Sequence, residues 1–174
     1  MKTATTIQEN AGDIYAEAKD INEARAAKEE EFEDLNSWKY YNGEQFVENI
    51  EEVKGLLNNV SCELSVNEED GKYLCVFTHN VQSPYIATSS SPTPYGPFDE
   101  MRIAYVCPEK LCDHMYIYNA KAHPHLSKEG ELLVSYNINT SNFSENIQYG
   151  RTYGPRFIKL RKESEAKWRK FKLS

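Results

Sequence analysis

The chain predicts a mainly β fold built from repeated four-stranded antiparallel units, the pattern of β-propeller blades. Three observations carry this expectation. Short apolar strands separated by Gly- and Pro-bearing turns recur between residues 36 and 161. The stretches 63–106 and 116–160 repeat one arrangement, each with an acidic Gly turn between its first two strands: Glu68-Glu-Asp-Gly71 and Lys128-Glu-Gly130. Tyrosine is over-used, at 12 of 174 residues. It favours strands, and surfaces where a ring stacks while its hydroxyl hydrogen-bonds.

Residues 1–35 form an acidic segment. Its strong helix formers, from Asn22-Glu-Ala-Arg-Ala-Ala-Lys28 through Asp34, predict a helix or irregular structure over 7–35, or a remnant of a preceding blade. The apolar face of such a helix, Ile14, Ile21, Phe32 and Leu35, is thin. Trp38 to Tyr41 reads as a strand, Asn42-Gly43 as a tight turn and Phe46-Val47 as a short return. Ile50 to Leu57 reads as a helical turn or connector. Cys62 to Val66 and Lys72 to Thr78 form a hairpin across the Gly71 turn. The second of these strands is nearly all apolar, so burial on both faces is expected. Tyr85 to Ser89 and Met101 to Val106 follow, joined by the turn-rich Ser91-Pro-Thr-Pro-Tyr-Gly-Pro97. Tyr118 to Leu126, Glu131 to Tyr136 and Tyr153 to Leu160 then make three more strands, with a long polar loop before Gly150. Residues 36–161 thus form the β domain, and 162–174 a basic tail read as a solvated end.

Bulk properties narrow the function. A chain of 174 residues fits one domain with a real core. A net charge of −7 argues against nucleic-acid binding. No apolar run approaches membrane-spanning length, and the first 30 residues lack a signal-peptide core. Cys62, Cys75, Cys107 and Cys112 lack the paired spacing of a structural zinc site, so no metal is assigned. Cys75 reads as a small buried hydrophobe, and disulfide pairing is left open. Gly-rich phosphate loops, Gly-x-Ser-x-Gly and His-Glu-x-x-His do not occur.

The richest segment is Tyr116 to Ser127. Strand parity places Asn119, Lys121, His123 and His125 on one face. Several titratable or cationic groups together suggest the rim of a polar pocket. Tyr136 is either a ring that stacks on a sugar or a core tyrosine. Arg156 holds a carboxylate or sugar hydroxyl as a planar donor, or else makes a salt bridge between blades.

Five stretches in order carry a family resemblance: Glu63-Leu-Ser-Val66, Pro94-Tyr-Gly-Pro-Phe98, Tyr118-Asn-Ala-Lys-Ala-His-Pro124, Gly130-Glu-Leu-Leu-Val-Ser-Tyr-Asn137 and Tyr153-Gly-Pro-Arg-Phe157. Over residues 36–161 the chain resembles the C-terminal part of a bacterial five-bladed propeller family, formerly of unknown function and linked to endo-D-arabinanases. That family is similar to the arabinanase, β-xylosidase and invertase propellers. The resemblance implies a partial five-bladed β-propeller of about two blades, with Trp38–Tyr41 closing an earlier one. Five blades of roughly 40–50 residues exceed this chain, so it is expected to be incomplete.

The resemblance also implies a carbohydrate-active protein acting on arabinan-type or related polysaccharide. Glu63, where the innermost strand of a blade opens, takes the place of the catalytic acid. An exposed strand glutamate or a salt-bridge partner is the plain alternative. Glycoside hydrolysis needs two carboxyl groups across the scissile bond. The related propellers draw the second from an early blade that is not recognisable here, so efficient hydrolysis by this chain alone is not expected. His123 takes the place of a central histidine near a bound ion or water cluster, and no cofactor is implied. The alternatives are a non-catalytic glycan-binding or structural module, and a half-propeller whose copies associate to close the ring. The expected partner is a polysaccharide or glycan, and the resemblance implies a secreted or cell-surface parent.

Overall fold

A computed structural model describes residues 3–8, 20–26, 34–80, 83–109, 114–148, 150–164 and 167–170. These residues are mainly β, arranged as three successive four-stranded antiparallel sheets. The first sheet comprises β1 (Thr3–Gln8), β2 (Asp20–Ala26), β3 (Trp38–Tyr41) and β4 (Phe46–Val47). The second comprises β5 (Val60–Glu69), β6 (Lys72–His79), β7 (Tyr85–Ser91) and β8 (Arg102–Val106). The third comprises β9 (Met115–Ala122), β10 (Glu131–Thr140), β11 (Gly154–Ser164) and β12 (Lys167–Lys170). Each is a meander whose sequence neighbours pair, as in propeller blades.

Local chemistry explains the hairpins. The β5–β6 turn needs positive φ at both central positions. Asp70 and Gly71 supply it at +51° and +73°. Glu69 then pairs with Lys72, and Leu64 with Phe77. Gly43, at φ +96°, serves the β3–β4 turn, where Asn42 Oδ1 also accepts from the Glu44 and Gln45 N–H groups.

The second sheet is buried on both faces, as the apolar run in β6 predicts. Leu74 and Val76 face the third sheet in a cluster with Ile86, Ile117, Leu132, Val134, Ile158 and Leu160. Cys75 and Phe77 face the other way, packing with Leu57, Val60 and Ala87 and covered by Leu64, Val66, Phe98 and Met101. The first sheet joins the second through Tyr95, whose ring lies 4.7 Å from Tyr41 and 5.4 Å from Phe46. The second and third sheets stack with first strand beside first strand, β5 against β9, and last beside last, β8 against β12. The Ala122 N–H donates to Ser65 Oγ at 2.8 Å across the β5–β9 seam.

Three expectations are corrected. The helix expected over 7–35 is replaced at residues 20–26 by β2, which pairs with β1 and β3. Helix propensities differ by well under 1 kcal/mol per residue among ordinary residues, so pairing on both edges outweighs them. Residues 9–19 and 27–33 lie outside the described residues. The basic tail is not all tail: Lys167–Lys170 adds a fourth strand, pairing Leu160 with Lys170 and Arg161 with Arg169. The loop before Gly150 contains one helical turn, α1 (Phe143–Gln148), tied to β10 by Thr140 Oγ1, which donates to Glu145 Oε2 at 3.0 Å.

Cys62, Cys75 and Cys107 form no disulfide among the described residues, and Cys112 lies outside them. Burial pushes the Cys75 thiol up to about 12, whereas Cys62 is exposed. Only the thiolate reacts with disulfide reagents. Native protein at pH 8 is therefore expected to label at Cys62 within minutes and at Cys75 only after denaturation, read by peptide mass mapping. Equal labelling rates at the two positions would contradict this packing.

Candidate functional site

The site is built at the first strands of the second and third sheets. A bulge in β9 decides which side chains it presents. Ser135 pairs with Lys121, but Asn137 pairs with Tyr118, so β9 carries one residue more than β10 between these pairs. Asn119 has a left-handed backbone, φ +58°, a conformation asparagine tolerates better than most residues. Ala120 and Ala122 stay in the core, and so does Ile117 on the other side of the bulge. Tyr116 and Tyr118 are thereby turned to the face of Lys121 and His123, away from that core. A regular strand would have put Tyr118 on the side of Ala120.

Glu63 lies on β5, half-buried. Its main-chain carbonyl accepts from Ser61 Oγ at 3.0 Å, and its carboxylate enters no ion pair among the described residues. The Tyr118 phenol is held above its ordinary value by burial, then by the Tyr153 hydroxyl, with Tyr116 and the Glu63 carboxylate adding to it. Glu63 therefore stands within electrostatic reach of Tyr118 across the seam.

The histidines sit at the end of β9. Strand parity does not extend to His125, because β9 stops at Ala122 and Pro124–Leu126 forms a 3-10 turn. Proline at the first position of that turn blocks continued strand pairing. The two imidazoles still meet edge to face, 6.1 Å apart. His123 Nε2 lies 2.7 Å from Ser135 Oγ. Its backbone is pinned on both sides: the N–H donates to Leu133 O at 2.8 Å, and the carbonyl accepts from Ser127 Oγ at 2.7 Å. Lys121 lies beside Ser135 in register, half-buried. Asn119 Oδ1 is buried without a hydrogen-bond partner. Among the described residues, no group of three or more His, Cys, Asp or Glu converges on a point where a metal could sit.

Tyr136 and Arg156 belong elsewhere. Tyr136 is 2% exposed, inside the core between the second and third sheets, with its ring 6.0 Å from Tyr105. Its hydroxyl donates to Glu109 at 3.0 and 3.2 Å. Arg156, the register partner of Tyr136, reaches the same carboxylate at 3.7 Å and donates to the Pro155 and Arg151 carbonyls. The structure thus places Asn119 and Lys121 on β9 and His123 just past its end, with His125 beside His123 and Glu63 across the seam. It separates Tyr136 and Arg156 from them by the thickness of the sheet. Sequence reasoning passed over Tyr116 and Tyr118 because the bulge is not visible in alternation. The asparagine at position 119, within a run of strand formers, is the one local signal for it.

Fold and site together define a class: antiparallel blade-like meanders with polar and aromatic side chains gathered on their first strands. The chain belongs to the family described as Domain of unknown function (DUF5005), whose model matches residues 4–168. Among solved structures it is similar to a protein from Bacteroides ovatus ATCC 8483, described as a "putative hydrolase". The two are 22% identical, with a TM-score of 0.60 over 87% of this chain. The chain spans 42% of that structure's length. At this identity the likeness is one of fold. No curated protein matches the chain.

Proposed function

We propose that this chain is part of a carbohydrate-active β-propeller of the hydrolase type, acting on arabinan-type or related polysaccharide. In this reading Glu63 acts as the acid, and Asn119, Lys121 and His123 meet the sugar. The observation that carries it is the half-buried Glu63 carboxylate, unpaired among the described residues, on β5 where that strand packs against β9. A carboxyl group there can donate a proton to a glycosidic oxygen while neighbouring hydroxyls and amides hold the sugar. The description of the Bacteroides ovatus protein as a hydrolase fits the same reading. His123, fixed by Ser135, offers a second polar group, and His125 widens that rim.

The test compares polysaccharide binding by this chain, and reducing-end release by a complete propeller that contains it, each with its Glu63→Gln variant, on arabinan and xylan. Glu63→Gln is expected to lower turnover by about 10²–10⁴-fold, the usual contribution of a general acid, while binding stays within about twofold. Wild-type turnover in the variant would remove Glu63 from the chemistry. Binding by both proteins without turnover by either would favour the non-catalytic glycan-binding module.

A further inference from the structure

We propose that Tyr116, Tyr118 and Tyr153 form a stacking platform for a neutral sugar ring beside Glu63, and that the β9 bulge exists to aim it. This rests on the carbohydrate reading above and gives it a place of contact. Tyr116 and Tyr118 lie two residues apart on the bulged end of β9, with ring centroids 5.6 Å apart and planes at 38°. Tyr116 pairs with Asn139 and Tyr118 with Asn137, so both sit over the same end of β10. Tyr153 immediately precedes β11, whose first residue, Gly154, pairs with Ile138, bringing it to that end as well. Tyr153 is 60% exposed, and Tyr116 and Tyr118 are half-buried. None of the three belongs to either core cluster.

Three tyrosines outside the core, grouped at one end of a sheet and partly open to water, offer a cluster of ring faces that a ligand can cover. Their chemistry selects the cover. The ring faces suit the C–H faces of a sugar, and the hydroxyls suit its polar rim. Glu63 accepts hydrogen bonds from hydroxyl donors, Lys121 on the same face can donate them, and the net charge of −7 disfavours polyanions over longer range.

The experiment is titration calorimetry of the whole protein with soluble arabino-, xylo- and gluco-oligosaccharides. It is repeated for Tyr118→Ala, Tyr118→Phe, Tyr153→Ala, Lys121→Ala and His123→Ala, with a thermal melt on each variant. Tyr153 is mostly exposed, so its variant is expected to fold even if Tyr118→Ala does not. Tyr153→Ala and Tyr118→Ala are expected to weaken binding by about tenfold, and Tyr118→Phe by much less, because the ring face is kept. Binding unchanged in the tyrosine variants but lost in Lys121→Ala or His123→Ala would overturn the platform and leave the carbohydrate reading standing. Failure of the unmodified protein to bind any of the sugars would overturn both.

Discussion

Replacing Phe77 with alanine is expected to destabilise the protein by about 3–5 kcal/mol. Phe77 is 0% exposed and is the largest side chain of the cluster on the far face of the second sheet. It sits between Leu64 on β5 and Ala87 on β7, in register with both. Truncation removes its apolar transfer energy and leaves a cavity bounded by two paired strands, which cannot close in without breaking ladder hydrogen bonds. A domain's whole stability is about 5–15 kcal/mol, so this one change takes a large share of it. At about 2–4 °C per kcal/mol for a chain of this size, the midpoint should fall by roughly 6–20 °C. Phe77→Leu keeps most of the volume and should cost clearly less than Phe77→Ala. Urea melts of the three proteins decide the matter. A loss below about 1 kcal/mol for Phe77→Ala would mean that this face of the second sheet is not a closed core.

The same strand shows what was legible in the sequence. An uninterrupted apolar run from Tyr73 to Phe77 can only be buried on both sides, and both neighbouring clusters follow from it. The turns were legible because their residues are those that positive φ demands: Asp70-Gly71 and Gly43. Elements held by long-range pairing were not legible. Residues 20–26 carry helix-forming side chains, yet they lie between two strands, one of them β3. Lys167–Lys170 reads as solvated charge until β11 offers it an edge. Periodicity reports which faces are apolar, and it cannot report a partner that arrives from elsewhere in the chain.

The candidate site divides along the same line. Lys121 and His123 share a face because His123, just past the end of β9, reaches Ser135, the register partner of Lys121. Tyr116 and Tyr118 join them only through the extra residue at the bulge, which shifts parity by one and reverses every side chain beyond it. Tyr136 shows the complementary error. Its sequence surroundings, Val134-Ser-Tyr-Asn137, fit a pocket wall as well as a core. The choice was made by Glu109, a residue 27 positions earlier whose carboxylate receives the Tyr136 hydroxyl.

That pair yields the second large effect. Tyr136→Ala is expected to cost about 3–5 kcal/mol, and Tyr136→Phe about 1.5–3 kcal/mol. The difference between them measures the ring, packed against Tyr105 between the second and third sheets. The smaller number measures the hydroxyl, whose loss leaves Glu109 with Arg156, at 3.7 Å, as its ion-pair partner among the described residues. A hydrogen bond to a carboxylate in a partly buried site is worth more than a neutral one, so the phenylalanine variant should be measurably weak. Burial, then Cys107 and Glu109, raise the Tyr136 phenol above its ordinary value of 10.0. The neutral phenol is therefore favoured by folding. Its stabilisation is complete below pH 10 and is lost as pH climbs from there toward the folded-state value, because the unfolded chain ionises first. Wild-type protein should accordingly lose stability above pH 10 more steeply than Tyr136→Phe, which has no hydroxyl there to ionise. Sugar binding, if Tyr136 serves only the seam between sheets, should be unchanged in Tyr136→Phe. A variant as stable as wild type, with the same alkaline slope but weakened sugar binding, would move Tyr136 out of the core and into the binding site.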